Sequence, residues 1–203
     1  MTHPSIDDSS LRPFPAATNQ ALTTRFQRAV PGCTLRPLHA ADLPWLRDLY
    51  ASSRQEEMAV LAWPDEAKRA FLDQQFAAQH QHFLSHYPDA GFFAIEQRGR
   101  GPAGRLYLQS KARSHLLIDI CLAPSMRGQG IGSALIRQCQ IDAAALNRDM
   151  LLHVHCSNRG AQQLYLRLGF VSVENNGSHM QMRWPAKPLS DQEGAASTLH
   201  VGE

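Results

Sequence analysis

The sequence predicts an α/β fold in three layers, and three observations carry that prediction. Between residues 32 and 186, short apolar runs of strand character alternate with longer runs of helical period. Gly- or Asn-rich turns sit where two pairs of those strands must reverse. The run His115–Leu122 is apolar apart from its first residue and Asp119, the pattern of a central strand covered on both faces.

The elements follow in order. Thr34–Leu38 reads as a first strand, and Pro37 confines it to an edge or an end because proline lacks the ladder N–H. Asp42 caps a helix that has Pro44 in its first turn and runs through Trp45, Leu46, Leu49 and Tyr50. Pro64-Asp65 opens a second helix carrying Ala67, Phe71, Phe76 and Phe83, ending before Pro88. Gly91–Ile95 is an apolar strand, and the Arg98-Gly99-Arg100-Gly101-Pro102 turn returns it to Arg105–Gln109 as a hairpin. After the central strand, a helix over Gly130–Asn147 places Ile131, Leu135, Ile136, Cys139, Ala143 and Leu146 on one stripe. Leu151–Cys156 is the next strand. Ala161, Leu164, Tyr165 and Leu168 mark a short helix stopped by Gly169. Phe170–Val173 and Met180–Trp184, joined through Asn175-Asn176-Gly177-Ser178, close the domain as a second hairpin.

Residues 1–31 hold Pro4, Pro13, Pro15 and Pro31 among polar residues without periodicity and read as a flexible N-terminal extension. Residues 187–203 read as a disordered C-terminal tail, which leaves 32–186 as one domain. Of the 203 residues, 43% are apolar and 19% charged, which excludes full disorder. A net charge of +2 without a basic stripe argues against nucleic acid. No apolar run approaches the ~20 residues of a membrane span, and the polar, acidic start MTHPSIDDSS does not resemble a signal peptide. Cys33, Cys121, Cys139 and Cys156 form no C-x-x-C pair. They read as reduced thiols of a cytoplasmic protein with no metal site.

The segment Pro124-Ser-Met-Arg127-Gly128-Gln129-Gly130-Ile131-Gly132-Ser133-Ala134 lies between the central strand and a helix start. Glycines there let a backbone approach a ligand closely, and free N–H groups at a helix start favour an anion. A phosphate site follows. The segment lacks the Gly-Lys-Ser/Thr of a Walker loop and fits the dinucleotide pattern poorly at Ser133 and Leu135.

Arg127-Gly128-Gln129-Gly130-Ile131-Gly132 instead resembles the Q/R-x-x-G-x-G/A pyrophosphate loop of the GNAT superfamily of acyl-CoA-dependent N-acetyltransferases. A second stretch, from Leu152 through Val154, Asn158, Ala161 and Tyr165 to Gly169-Phe170, is similar to the family's L-x-V-x-x-x-N-x-x-A-x-x-x-Y-x-x-x-G-F. Asp119-Ile-Cys-Leu122-Ala-Pro124 resembles its D-x-x-V-x-P, with leucine for valine. The resemblance covers residues 33 to 185 and implies a GNAT-like fold with a central mixed, mostly antiparallel sheet flanked by helices.

It also implies transfer of an acetyl group from acetyl-CoA to a primary amine by direct attack in a ternary complex. The backbone from Gly128 through Gln129, Gly130, Ile131 and Gly132 to Ser133, flanked by Arg127, would grip the pyrophosphate. Ile120, Cys121 and Leu122 would pair with the pantetheine, the Leu122 N–H meeting the thioester oxygen. Tyr165 matches the family's proton donor to the CoA sulfur, and its alternative is a core position on its helix. Asn158 would cap that helix and contact the cofactor.

For the base, His153 occupies the strand position where ribosomal-protein alanine acetyltransferases carry a glutamate, and His155 faces the same side. Asp119 competes with it, because its counterpart in polyamine acetyltransferases lies at the acceptor. A carboxylate isolated in an apolar strand must find a partner or stay neutral. Water-mediated deprotonation is a third route. Arg54, Glu56 and Glu57, in the Ser52–Met58 segment joining the first two helices, would read the acceptor or serve as surface charges. His80, His82 and His86 read as a solvated helix end rather than a metal site.

The acceptor stays open among amino acids, polyamines, drug-like amines and proteins, and the family resemblance allows a homodimer. Two competing readings are a non-catalytic acetyl-CoA-binding sensor or assembly module and a nucleotide-binding oxidoreductase.

Overall fold

A computed structural model describes residues 11–15 and 32–186. The readings of 1–10, 16–31 and 187–203 lie outside the described residues. The strands are β1 (Cys33–Pro37), β2 (Gly91–Gln97), β3 (Gly101–Ser110), β4 (Ser114–Leu122), β5 (Asp149–His155), β6 (Val171–Asn175) and β7 (His179–Trp184). They form one mixed sheet in the order β1-β2-β3-β4-β5-β7-β6. The helices are α1 (Leu43–Ser53), α2 (Gln55–Ala59), α3 (Asp65–His86), α4 (Ile131–Ala145) and α5 (Arg159–Arg167). β1 pairs antiparallel with β2, β5 with β7 and β7 with β6, whereas β4 and β5 run parallel. Helix α2 falls inside the segment expected to be a plain connection, so a turn of helix replaces most of that loop.

Two compact units divide the chain. One holds the residues up to Tyr107 together with Asp119–Gly132, the other Leu108–Ile118 together with the residues from Ser133 onward. In the first, Leu35, Leu46, Phe76, Phe93, Ile95 and Leu106 are buried. Arg36 ties its strands to the start of α1, reaching both oxygens of Asp42 at 2.7 Å and Glu96 at 2.7 Å. Asp42 also accepts from the His39 N–H at 2.8 Å and from Trp45 Nε1 at 2.9 Å. The expected cap is therefore corrected: Asp42 stands at the N-cap position, but its side chain makes no capping bond to α1. A carboxylate whose lone pairs are spent on a guanidinium, an indole and the His39 N–H has none left for the helix amides. Arg47 and Arg69 both bind Asp73, joining α1 to α3.

In the second unit Leu116, Leu135, Ile136, Met150, Leu152 and Met182 are buried. Asn147 (φ 52°) takes the left-handed conformation just past α4, with the Arg148 N–H bonded to the Ala143 carbonyl at 2.9 Å. This ends the helix before Leu146, which is exposed and does not continue the buried stripe. Gly169 (φ 84°) stops α5 in the same way, with the Phe170 N–H on the Tyr165 carbonyl at 3.0 Å.

The central strand differs from expectation in one respect. His115–Leu117 are buried, but Ile118–Leu122 are only half-buried. The ladder between β4 and β5 ends at Leu117–Leu152, five residues before β4 does. An apolar strand end left partly open is suited to cover from something outside the chain.

Burial alone would raise the Asp42 carboxyl, but the bonds from Arg36, Trp45 and His39 outweigh it and hold the pKa at about 2. Its value in an unfolded chain is about 3.9, so Asp42 stabilises the fold fully above pH ~4 and loses that contribution as the pH falls through 2. Asp42→Asn should lower stability at pH 7 by about 2 kcal/mol and flatten the decline between pH ~4 and ~2. Urea denaturation across that range reads both effects, and an unchanged acid limb would refute the assignment.

Candidate active site

β4 leads into the glycine-rich turn through a 3-10 turn at Pro124–Met126, pinned by the buried Met126. In the turn, Gly128 (φ 72°) and Gly130 (φ 77°) are left-handed, and no atom lies within 4 Å of where a Cβ would stand at either. Glycine is required there by backbone angle, not by crowding. Gly132 is different: its φ is ordinary and a Cβ would meet only Leu122 Cδ1 at 3.6 Å, so alanine fits. The side chains of the turn brace it from behind. Arg127 Nε donates to the Leu122 carbonyl at 2.9 Å, and Gln129 Nε2 to the Ser125 carbonyl at 2.6 Å. Residues 127–130 are exposed and α4 begins at Ile131, which presents the first N–H groups of a helix to solvent. These features fit a pyrophosphate.

The edge of β4 fits the rest of such a ligand. The Ala123 N–H bonds to the Ala103 carbonyl at 2.8 Å, on the β3 side. Alternate residues of a strand direct their polar groups to opposite edges, so Leu122 points its N–H away from β3, as its carbonyl does toward Arg127. β3 approaches closely here. A Cβ at Gly104 would fall 2.4 Å from the Cys121 carbonyl oxygen and 2.8 Å from Leu122 Cδ2. Burial pushes the Cys121 thiol up, so it stays protonated at neutral pH.

Asp119 is not isolated. Arg105 Nε donates to its Oδ2 at 2.7 Å, and Arg105 Nη2 to Gln79 Oε1 on α3 at 2.8 Å. The guanidinium also lies 5.2 Å from the centre of the Tyr107 ring. Arg105 is 4% exposed, and burial works against its charge while Asp119 sustains it. This buried arginine was missed from sequence. The available signal was its opposite charge on the apolar strand next to the one that holds Asp119.

In the other unit, His153 and His155 alternate with buried Leu152 and Val154 and share one exposed face of β5, as expected. They stand opposite Gln181 and His179 of β7. The His155 and His179 rings meet edge to face at 5.0 Å. His155 Nδ1 accepts from the Ser157 N–H at 3.2 Å, which puts the neutral ring's proton on Nε2. Among the described residues no hydrogen bond holds the His153 ring. Asn158 caps α5, its Oδ1 accepting from the Ala161 N–H at 3.1 Å. Tyr165 is buried on α5, its ring 5.8 Å from that of Phe170.

Arg54 pairs with Glu57 at 2.8 Å on an exposed turn and lies 5.5 Å from the Tyr50 ring, while Glu56 is exposed. The reading of the histidines as a solvated helix end holds for His82 and His86, whose rings stack at 4.1 Å, but not for His80. His80 is 4% exposed, because residues 11–15 cover it. Among the described residues no group of three or more His, Cys, Asp or Glu could hold a metal ion, and no helix is long and apolar enough to cross a membrane.

Residues 46–170 match the Acetyltransferase (GNAT) family. No curated protein matches the chain. Among solved structures it is similar to an N-acetyltransferase, PaiA, from Thermoplasma acidophilum in complex with coenzyme A. That likeness has 18% identity and a TM-score of 0.58, covering 75% of this chain and 98% of that one. An acetyltransferase from Thermus thermophilus gives 18% identity and a TM-score of 0.57, covering 77% and 99%. Spermidine N-acetyltransferase from Vibrio cholerae, in complex with CoA and spermine, gives 22% and 0.52, covering 77% and 97%.

The Arg105–Asp119 pair yields a stability prediction. Arg105→Met should destabilise the protein by about 3 kcal/mol by stranding the carboxylate, and adding Asp119→Leu should recover much of that loss. Urea denaturation of the two single variants and the double variant closes the cycle. Strict additivity would mean the pair is not coupled.

Proposed function

The chain belongs to the acetyltransferase (GNAT) family, whose cosubstrate is acetyl-CoA, and we propose that it transfers the acetyl group to a primary amine by direct attack in a ternary complex. The observation that carries this reading is the edge of β4, where the Leu122 N–H points away from β3 and the ladder with β5 has already ended. A main-chain donor on an unladdered strand edge suits both a pantetheine lying as an added strand and the oxygen of its thioester. The amides from Gly128 to Ser133 hold the pyrophosphate, and the Arg127 guanidinium adds charge beside it.

Acetyl-CoA brings an activated carbonyl and a thiolate leaving group; the chain supplies donors and acceptors of protons. The protonated Cys121 thiol is a poor nucleophile, which favours attack by the amine itself over an acetyl-cysteine route. Leu122 donates to the oxyanion that develops as the amine adds. His153, exposed and held by no hydrogen bond among the described residues, takes the amine proton. Asp119 gives Oδ2 to Arg105 and keeps Oδ1 to orient the amine. Tyr165 returns a proton to the departing sulfur, and Asn158 fixes the start of the helix that carries it. Arg54, Glu56 and Glu57 read the rest of the acceptor. The free thiols of Cys33, Cys121, Cys139 and Cys156 suit the reducing cytoplasm as its location.

Acetyl-CoA at about 100 times its Kd should stabilise the protein by about 2.7 kcal/mol, whereas NAD(H) should not, and Gly130→Val should abolish the effect. Thermal melts read all three. An amine library with acetyl-CoA, followed by mass spectrometry, identifies the acceptor class. On the best amine, Tyr165→Phe should lower kcat by about a hundredfold without weakening acetyl-CoA binding. Unchanged turnover would remove Tyr165 from the reaction.

A further inference from the structure

The N-terminal segment 11–15 is docked on the body of the first unit, although its own sequence shows no helical or strand period. The Arg12 carbonyl lies 2.7 Å from His80 Nε2 on α3. A carbonyl can only accept, so the ring nitrogen carries the proton and His80 donates. Phe14 packs its ring at 5.0 Å against His80 and 5.6 Å against Phe92 of β2. The imidazole also stacks on Phe76 at 5.9 Å. The buried histidine thus packs against two phenylalanines, and among the described residues its hydrogen bond goes to the segment that covers it. Burial and the Arg105 charge both keep His80 neutral.

The preceding residue on α3 connects this enclosure to chemistry. Gln79 Oε1 accepts from Arg105 Nη2, and Arg105 Nε donates to Asp119 Oδ2. One side of α3 therefore receives the N-terminal segment while the adjacent side chain fixes the arginine that holds Asp119. Arg105 has no slack to absorb a shift of α3, because it is fully enclosed and its Nε and Nη2 are both engaged.

We propose that residues 11–15 form a clip that acts through His80 as a positioning device, holding Gln79 and Arg105 so that Asp119 presents Oδ1 to the acceptor amine. The catalytic consequence rests on the role given to Asp119 above; the mechanical coupling from clip to Arg105 does not. Among the described residues the hydrogen bond and ring contacts of the clip go to His80 and Phe92 and none to the glycine-rich turn or Leu122, so its loss is expected to bear on the acceptor and not on acetyl-CoA.

The test uses the full chain with Phe14→Ala, His80→Ala and His80→Gln, the last of which retains an N–H donor for the Arg12 carbonyl. Phe14→Ala and His80→Ala should raise the KM for the amine by about tenfold, leave the KM for acetyl-CoA within about twofold and change kcat little. His80→Gln should restore most of the difference. A purely structural role would instead lower the melting temperature of all three while leaving the ratio of the two KM values unchanged, and that result overturns the proposal. Hydrogen exchange at the Arg105 Nε–H, followed by NMR without turnover, separates the two layers. Faster exchange in Phe14→Ala supports the clip even if no amine is acetylated, in which case the role of Asp119 falls. Exchange equal to that of the unaltered chain overturns the clip even in a fully active enzyme.

Discussion

The constraint on which the site depends is that β4 must end with one edge unladdered. Every main-chain N–H and C=O of a strand needs a partner, and the β5 ladder supplies partners to β4 only as far as Leu117. Beyond that point the strand satisfies itself piecemeal. Ala123 turns its N–H to Ala103, and the Leu122 carbonyl takes Arg127. The Leu122 N–H, pointing away from β3, is the donor proposed for the thioester oxygen. Arg127 closes the turn onto the strand, and the same guanidinium is the one proposed to meet the pyrophosphate. The left-handed angles at Gly128 and Gly130 then lead the chain from the strand edge to the start of α4. Strand edge, turn and helix start form one continuous run of main chain, and most of its chemistry lies in backbone rather than side-chain groups.

That division explains why the chain can be nearly neutral and still hold a multiply charged cosubstrate. Partial charges at a helix start and one arginine replace a basic surface. It also explains which letters of the motif are strict. Gly128 and Gly130 are the strict positions, because their left-handed φ values strain any side chain, whereas Gly132 tolerates a methyl group. Leucine in place of valine at 122 changes nothing that the main chain does.

Much of the fold was legible because periodicity and turn chemistry act locally. Pro37 marked an edge strand, Gly169 a helix end and Asn176-Gly177 a hairpin, each through a backbone property that one residue fixes. The misreadings share a different cause. Asp42 looked like a helix cap, but Arg36 and Trp45 claimed its oxygens. Asp119 looked isolated because its partner Arg105 lies on another strand, and His80 looked solvated because its cover comes from residue 14. Leu146 kept the stripe's spacing although the helix ends one residue before it and the chain turns at Asn147. Contacts between distant segments leave no periodic trace, so local pattern could not reveal them. The glycine turn and the Leu122 edge were legible through the family resemblance, and the buried Arg105 was not.

The raised thiol of Cys121 has a consequence of a redox kind. An acyltransferase of this family releases a free thiol at every turnover, and in a cell that thiol coexists with its own disulfide. Exchange with such a disulfide requires an attacking thiolate. Burial keeps Cys121 protonated, beside the very strand edge assigned to the pantetheine. At that proposed edge the cysteine is thus held in its less nucleophilic form, which disfavours exchange with an oxidised form of the leaving group.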